Sequence, residues 1–208
     1  MKVLFVTEIS YSTLVWLSYR LGATFAFGLP LVIFIWASMK KESPIVRLLS
    51  IYWKVASLMF ISMLLLIGNR PIGYLTSFLS PLLILTSIWF WIDLNEEINE
   101  FPRHKTIALV LKAWRWSLSF YSCFYITLSF ISLECVNNIN SQNCNYWREA
   151  PSGLNQIIRS IFNFLFGANW TEALSAFIGY LALIIYIVGF IQWAIIRLPK
   201  QGRIAGDF

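Results

Sequence analysis

Leu48-Leu49-Ser50-Ile51-Tyr52-Trp53-Lys54-Val55-Ala56-Ser57-Leu58-Met59-Phe60-Ile61-Ser62-Met63-Leu64-Leu65-Leu66-Ile67-Gly68 carries one charge, at Lys54, and none in its last fourteen residues. At about 1.5 Å rise per residue a helix of this length crosses the roughly 30 Å of a bilayer's hydrocarbon. Four further runs read the same way: Leu21–Met39, Ile72–Ile92, Ala113–Leu133 and Ala173–Ile196. Pro30 and Pro81 sit inside two of them, where neighbouring helices can satisfy a freed carbonyl, so each predicts a kink rather than an end. The remaining outer segment, 134–172, contains Leu154, Ile157, Ile158, Ile161, Phe164 and Leu165 at helical spacing, which predicts an amphipathic interfacial helix between the fourth and fifth spans. The first twenty residues resemble a signal peptide, but Glu8 breaks the apolar run and no small-residue cleavage site follows. They are expected to be a retained interfacial segment.

Composition supports an all-α integral membrane protein. Of 208 residues, 58% are hydrophobic and 12% charged, against roughly 25% charged in a soluble domain, and mean hydropathy is +0.67. This excludes a soluble enzyme, a nucleic-acid-binding domain and a secreted disulfide scaffold. The net charge of +6 fits Lys/Arg anchoring at one face of a bilayer. Eleven of the 16 basic residues (Lys40, Lys41, Arg47, Lys54, Arg103, Lys105, Lys112, Arg115, Arg197, Lys200 and Arg203) fall on one side and five on the other. The positive-inside rule therefore predicts the N-terminus outside and the C-terminus in the cytoplasm. Cys135 and Cys144 then lie on the non-cytoplasmic side, where a structural disulfide persists.

The chemistry-bearing residues are few. His104 is the only histidine, too few for a transmembrane haem or a His-rich metal site. The three cysteines contain no Cys-x-x-Cys pattern. Neither a Ser-His-Asp set nor paired intramembrane carboxylates can be assembled, so no catalytic residue is assigned. Asp93, Glu96, Glu97 and Glu100 share one helical face after the third span. A cation site of Glu97, Glu100 and His104 is disfavoured because Pro102 breaks the helix between them. The stronger expectation is ion pairing of Arg47 and Lys54 with Asp93 and Glu97 at one membrane level, beside the plainer alternative of a solvated acidic turn. Lys54 is expected to snorkel or pair, and Lys112 and Arg115 to serve as interfacial anchors among Trp114 and Trp116. Cys123 reads as a small apolar filler. Asn169-Trp170-Thr171 matches a glycosylation sequon of low specificity. The 17 Phe are expected to pack the core, with a bound pigment, quinone or lipid tail as the alternative. No repeat-related halves are visible, which lowers the case for a repeat-built transporter.

Several stretches together resemble a known family: Tyr19-Arg20-Leu21, Ile51-Tyr52-Trp53-Lys54-Val55-Ala56-Ser57-Leu58, Trp89-Phe90-Trp91-Ile92-Asp93-Leu94-Asn95-Glu96-Glu97-Ile98, Trp114-Arg115-Trp116, Trp147-Arg148-Glu149-Ala150-Pro151 after Cys144, and Ile196-Arg197-Leu198-Pro199-Lys200-Gln201-Gly202-Arg203. Together they resemble the uncharacterised cyanobacterial multi-pass membrane family catalogued as domain of unknown function 3177, over nearly the whole chain. The resemblance implies a thylakoid or plasma membrane host and transfers no catalytic residue. The leading expectation is a non-enzymatic accessory or assembly protein of a larger membrane complex, photosynthetic if that setting holds. A small-solute or ion transporter or channel is second, and a membrane enzyme acting on lipid or pigment third. No cofactor is expected beyond a bound pigment or lipid, and no nucleic-acid partner.

Overall fold

The computed structural model describes residues 2–102, 105–138, 141–196 and 204–205, with the side chains of residues 2–10, Gln142 and Ala194 left aside. Arg103, His104 and 197–203 therefore lie outside the described residues, and with them the histidine of the cation reading and four of the eleven basic residues counted on one side. Among the described residues regular structure is entirely helical: α1 (Lys2–Gly22), a π-helical turn (Ala23–Gly28), α2 (Leu29–Lys40), α3 (Ser43–Ile67), α4 (Ile72–Trp89), α5 (Ile92–Asn99), α6 (Thr106–Ser132) running into a 3₁₀ turn (Leu133–Val136), α7 (Gln142–Glu149), α8 (Ser152–Phe166) and α9 (Glu172–Ile196). Five stretches are long and apolar enough to span a membrane: Tyr11–Lys40, Ser43–Ile67, Ile72–Trp89, Thr106–Val136 and Glu172–Trp193.

The first span differs from expectation. No break separates an interfacial segment from it: α1 runs through the π turn into α2, and Val15, Ser18 and Tyr19 are buried. Nothing between Tyr11 and Lys40 stops a helix, because Pro30 alters the hydrogen bonding without ending it. Proline lacks the N–H that would serve the carbonyl four or five residues back, at Ala26 or Phe25. Both carbonyls find side-chain donors instead. Tyr52 Oη donates to Ala26 O at 2.5 Å and Trp114 Nε1 donates to Phe25 O at 2.9 Å. The two rings meet edge to face at 5.1 Å. The π turn is thus locked to α3 and α6 by the carbonyls the proline leaves open.

α3 is the hub of the bundle. It forms a tight hairpin with α4 through Gly68–Pro71, where Asn69 adopts φ 53°, a left-handed conformation asparagine tolerates. α6 packs on α4 and on the α1–α2 helix, and α9 leans on α3 from outside. The core is not the expected one. Among the described residues no phenylalanine is buried, whereas Tyr19, Tyr52, Tyr74, Tyr121, Tyr125, Trp91, Trp114, Trp147 and Trp170 are. Lipid tails are as apolar as phenylalanine, so burial gains it little. A tyrosine hydroxyl or indole N–H in hydrocarbon needs a partner, and the bundle interior supplies one to Tyr52, Tyr74, Tyr125, Trp114 and Trp147. Cys123 likewise faces outward from mid-α6 rather than filling the core.

Candidate functional site

The two ends of the bundle carry different chemistry. At the charged end α4 stops at Trp89, the chain turns through Phe90 and Trp91, and α5 begins at Ile92. A helix end leaves its last carbonyls without intrahelical donors. Arg115, nine residues into α6, supplies one: its Nη2 donates to Ile88 O at 2.6 Å and to Asn95 Oδ1 at 2.5 Å. Asn95 Nδ2 donates to Trp89 O at 3.1 Å. The guanidinium carbon lies 4.1 Å from the Trp89 ring centroid, and Trp89 Nε1 donates to Ser119 Oγ at 2.9 Å. A cation at a helix C-terminus is favoured by the helix dipole, and one over an indole by the ring quadrupole. Arg115 is 5% exposed, so it is a buried clamp on the α4–α5 corner. The anchor reading of Arg115 is thereby corrected: α6 begins at Thr106, seven residues before the expected start, which places Arg115 well inside the bundle. Lys112 stays exposed, as an anchor would.

α5 carries Asp93, Glu96 and Glu97, with Glu100 at its C-terminal cap, but the four acids do different things. Leu94 and Ile98 are buried and seat it against the bundle. Glu97 receives Arg47 Nη2 at 2.8 and 2.6 Å through its two oxygens. The pair is half-exposed, with side-chain exposures of 21% and 39%, so it fixes the position of α5 on α3 more than it adds stability. Asp93 accepts the Ala205 backbone N–H on both oxygens, at 3.0 and 2.9 Å, and Ala205 is fully buried. Glu96 and Glu100 are exposed. Lys105 Nζ reaches Glu42 Oε1 at 2.9 Å and lies 4.6 Å from the Phe101 ring centroid, closing the same end from the other side. Lys54 lies on the wall of a groove between α3, α4 and α9.

At the opposite end Cys135 and Cys144 form a disulfide with Cα atoms 5.7 Å apart and both residues buried. Tyr74 Oη donates to Cys144 O at 3.2 Å. Trp147, fully buried, donates from Nε1 to Tyr11 Oη at 3.0 Å and meets the edges of Tyr19 and Tyr125. This aromatic plug ties α7 to α1 and α6. α8 follows as a separate amphipathic helix, and none of its residues is buried.

Chemically, the arrangement is one of clamps. Hydroxyls inside the spans turn back to their own helices: Ser18 to Val15 O, Ser62 to Leu58 O, Ser87 to Ile84 O and Ser129 to Tyr125 O, all within 2.8 Å. Among the described residues no three His, Cys, Asp or Glu converge as metal ligands would. The model for the protein family of unknown function DUF3177 matches residues 12–206. The chain belongs to the DUF3177 family. The match runs from the first turns of the first span to the residue after Ala205, so the Arg115 clamp, the Asp93–Ala205 contact and the disulfide lie inside the family region. No curated protein and no solved structure matches this DUF3177 chain.

Sequence reasoning missed three participants. Arg115 looked like an anchor because Trp114 and Trp116 flank it, yet Trp114 points inward to Phe25 O while Trp116 is exposed. Asn95 gave no signal of its own. Ala205 acts through its backbone and has no side-chain signature. The one clue to Arg115 was the length of α6, legible from Ile107, Ala108 and Leu111, which are apolar and buried.

Proposed function

We propose that this protein is a non-enzymatic accessory or assembly protein that docks onto a larger complex in the same membrane. The observation that carries this reading is α8. Its apolar face holds Ile157, Ile161, Phe164, Leu165 and Phe166, each 53–88% exposed, on a helix outside the five spans. Exposed apolar rows of this kind, next to a rigid plug, suit a partner surface at the membrane boundary. Arg47 with Glu97, Arg115 with Ile88 and Asn95, and Asp93 with Ala205 are engaged inside the protein, which favours a structural role for these charges. The cyanobacterial setting implied by the family resemblance makes a photosynthetic complex the first partner to test, with thylakoid or plasma membrane as host. The positive-inside count puts α8 on the non-cytoplasmic side.

The test is affinity purification from native membranes in mild detergent, followed by a native gel, an absorption spectrum and mass spectrometry. Wild-type chain should travel with a large complex in fixed proportion. A variant carrying Ile161→Ser, Phe164→Ser and Leu165→Ser should stay in the membrane but run alone. Wild-type protein that runs alone and colourless, under conditions that keep known complexes intact, would overturn the reading and turn attention to transport.

A further inference from the structure

α9 is the least buried of the five spans, and it meets α3 closely at one end only. A Cβ placed on Gly68 would fall 2.7 Å from Ala176 Cβ, and one on Gly179 would fall 3.0 Å from Leu65. Ser175 Oγ donates to Leu64 O at 2.9 Å in the same contact. Ten residues beyond Gly179, a Cβ on Gly189 would meet nothing within 4 Å. Toward the charged end α9 therefore leaves a face open, as the lip of the groove it forms with α3 and α4.

That face has a pattern. Ala182, Ile185, Gly189, Gln192 and Ile196 are spaced 3, 4, 3 and 4 residues apart and so share one stripe of the helix. Ala182 is half-buried and the other four are exposed. Alternating steps of three and four make the seam through which two helices pack at a crossing of about 20°, and a glycine in such a seam lets the backbones approach. Gln192 is the polar member of the stripe and the one carboxamide between Ala173 and Ile196. Among the described residues nothing hydrogen-bonds to its side chain. Its neighbour Trp193 meets Trp91 edge to face at 6.1 Å, at the level where indoles mark the edge of the hydrocarbon. Long side chains on a helix lean toward its N-terminus, so the Gln192 amide is directed from that level into the hydrocarbon, away from the headgroups. Acyl tails offer it neither donor nor acceptor there.

The chemistry of the amide selects the occupant. A carboxamide carries a donor and an acceptor side by side, so a second carboxamide is its natural partner, joined through two N–H···O=C bonds. Copies of one chain inserted in one direction are related by an axis along the membrane normal, and a residue beside that axis meets its own counterpart. Gln192 is self-complementary in that position, and Gly189, one turn away, meets its counterpart without side-chain bulk. We infer that this face is the seam of a parallel homodimer, α9 against α9 of a second copy, with the Gln192 pair fixing the register as a buried polar pair does in a coiled coil. The inference stands apart from the docking proposed for α8, because it needs no other protein.

The experiment uses the full chain, purified alone and reconstituted in phosphatidylcholine vesicles, with the exposed Cys123 replaced by serine so that one introduced thiol is free. Ile185→Cys lies on the seam and Ile187→Cys on the opposite face of α9, and both positions are exposed. Mild oxidation followed by a non-reducing gel reads the dimer. Ile185→Cys should cross-link between copies and Ile187→Cys should not. Adding Gln192→Leu, more apolar and so no obstacle to insertion, should weaken dimerisation about tenfold across a dilution series in lipid, the scale of an interhelical polar contact. Gln192→Asn keeps the carboxamide and should retain most of the cross-linking. Gly189→Leu should weaken the dimer and Gly189→Ala should weaken it less. Equal cross-linking at 185 and 187, none at 185, or an undiminished dimer with Gln192→Leu would each overturn the assignment. So would capture of Ile185→Cys in native membranes by a different polypeptide with no linked pair of this chain.

Discussion

Removing the Tyr52 hydroxyl should destabilise the bundle only because residue 30 is a proline. Tyr52 and Ala26 are both fully buried and joined by a 2.5 Å bond. Tyr52→Phe deletes the donor and leaves the Ala26 carbonyl in hydrocarbon. Hydrogen bonds between membrane helices are worth about 0.6 kcal/mol on average and up to about 1.7. A buried acceptor left unmatched costs about 1–3 kcal/mol. The bond is short and both residues are fully buried, so the expected loss is about 1.5 kcal/mol. Pro30→Ala restores an N–H that can serve Ala26 or Phe25 from within the helix. In that background Tyr52→Phe should cost about 0.5 kcal/mol or less, giving a coupling near 1 kcal/mol between residues that do not exchange a hydrogen bond. The assay is a double-mutant cycle of reversible unfolding in mixed micelles titrated with dodecyl sulfate and followed by far-ultraviolet circular dichroism. Equal costs in the two backgrounds would refute the argument that the tyrosine replaces the proline's missing donor.

Three further outcomes follow from the same geometry. Gly68→Val should push α9 off α3, because its Cβ would lie within 2.8 Å of the Ala176 backbone, at a cost of about 1–3 kcal/mol read as faster proteolysis between α8 and α9. The double substitution Cys135→Ser, Cys144→Ser opens a bridge of sequence separation 9 and should lower stability by about 2.5 kcal/mol on loop entropy, seen as a lower thermal midpoint that reductant no longer changes. Arg115→Lys keeps a buried charge but loses the planar guanidinium that rests on Trp89 and places Nη2 between Ile88 O and Asn95 Oδ1, so it should cost about 2–3 kcal/mol and more than Arg115→Met, compared by the micelle titration.

The spans were legible because hydrocarbon accepts only long apolar helices, and 48–68, 72–92 and 173–196 each fall within a few residues of α3, α4 and α9. α8 was legible from its spacing, since Ile157, Ile161, Phe164 and Leu165 recur at helical intervals. Arg47 and Glu97 could be matched by their level along the membrane axis. Three features could not be read. The phenylalanine and tyrosine positions are exchanged relative to a soluble core because the solvent is apolar. The π turn was hidden because its partners, Tyr52 and Trp114, come from distant spans. The fate of Asp93 was hidden because a backbone amide has no letter in the sequence.

That last contact sets an order in time. Asp93 and the amide it holds are 112 residues apart, and α6 through α9 are synthesised between them. While α7 to α9 are made, the carboxylate at the start of α5 stands open beside the corner that Arg115 of α6 fastens. The acidic turn therefore passes through a stage, before residue 205 exists, in which its charge is offered to whatever is near. Synthesis of Ala205 withdraws that offer.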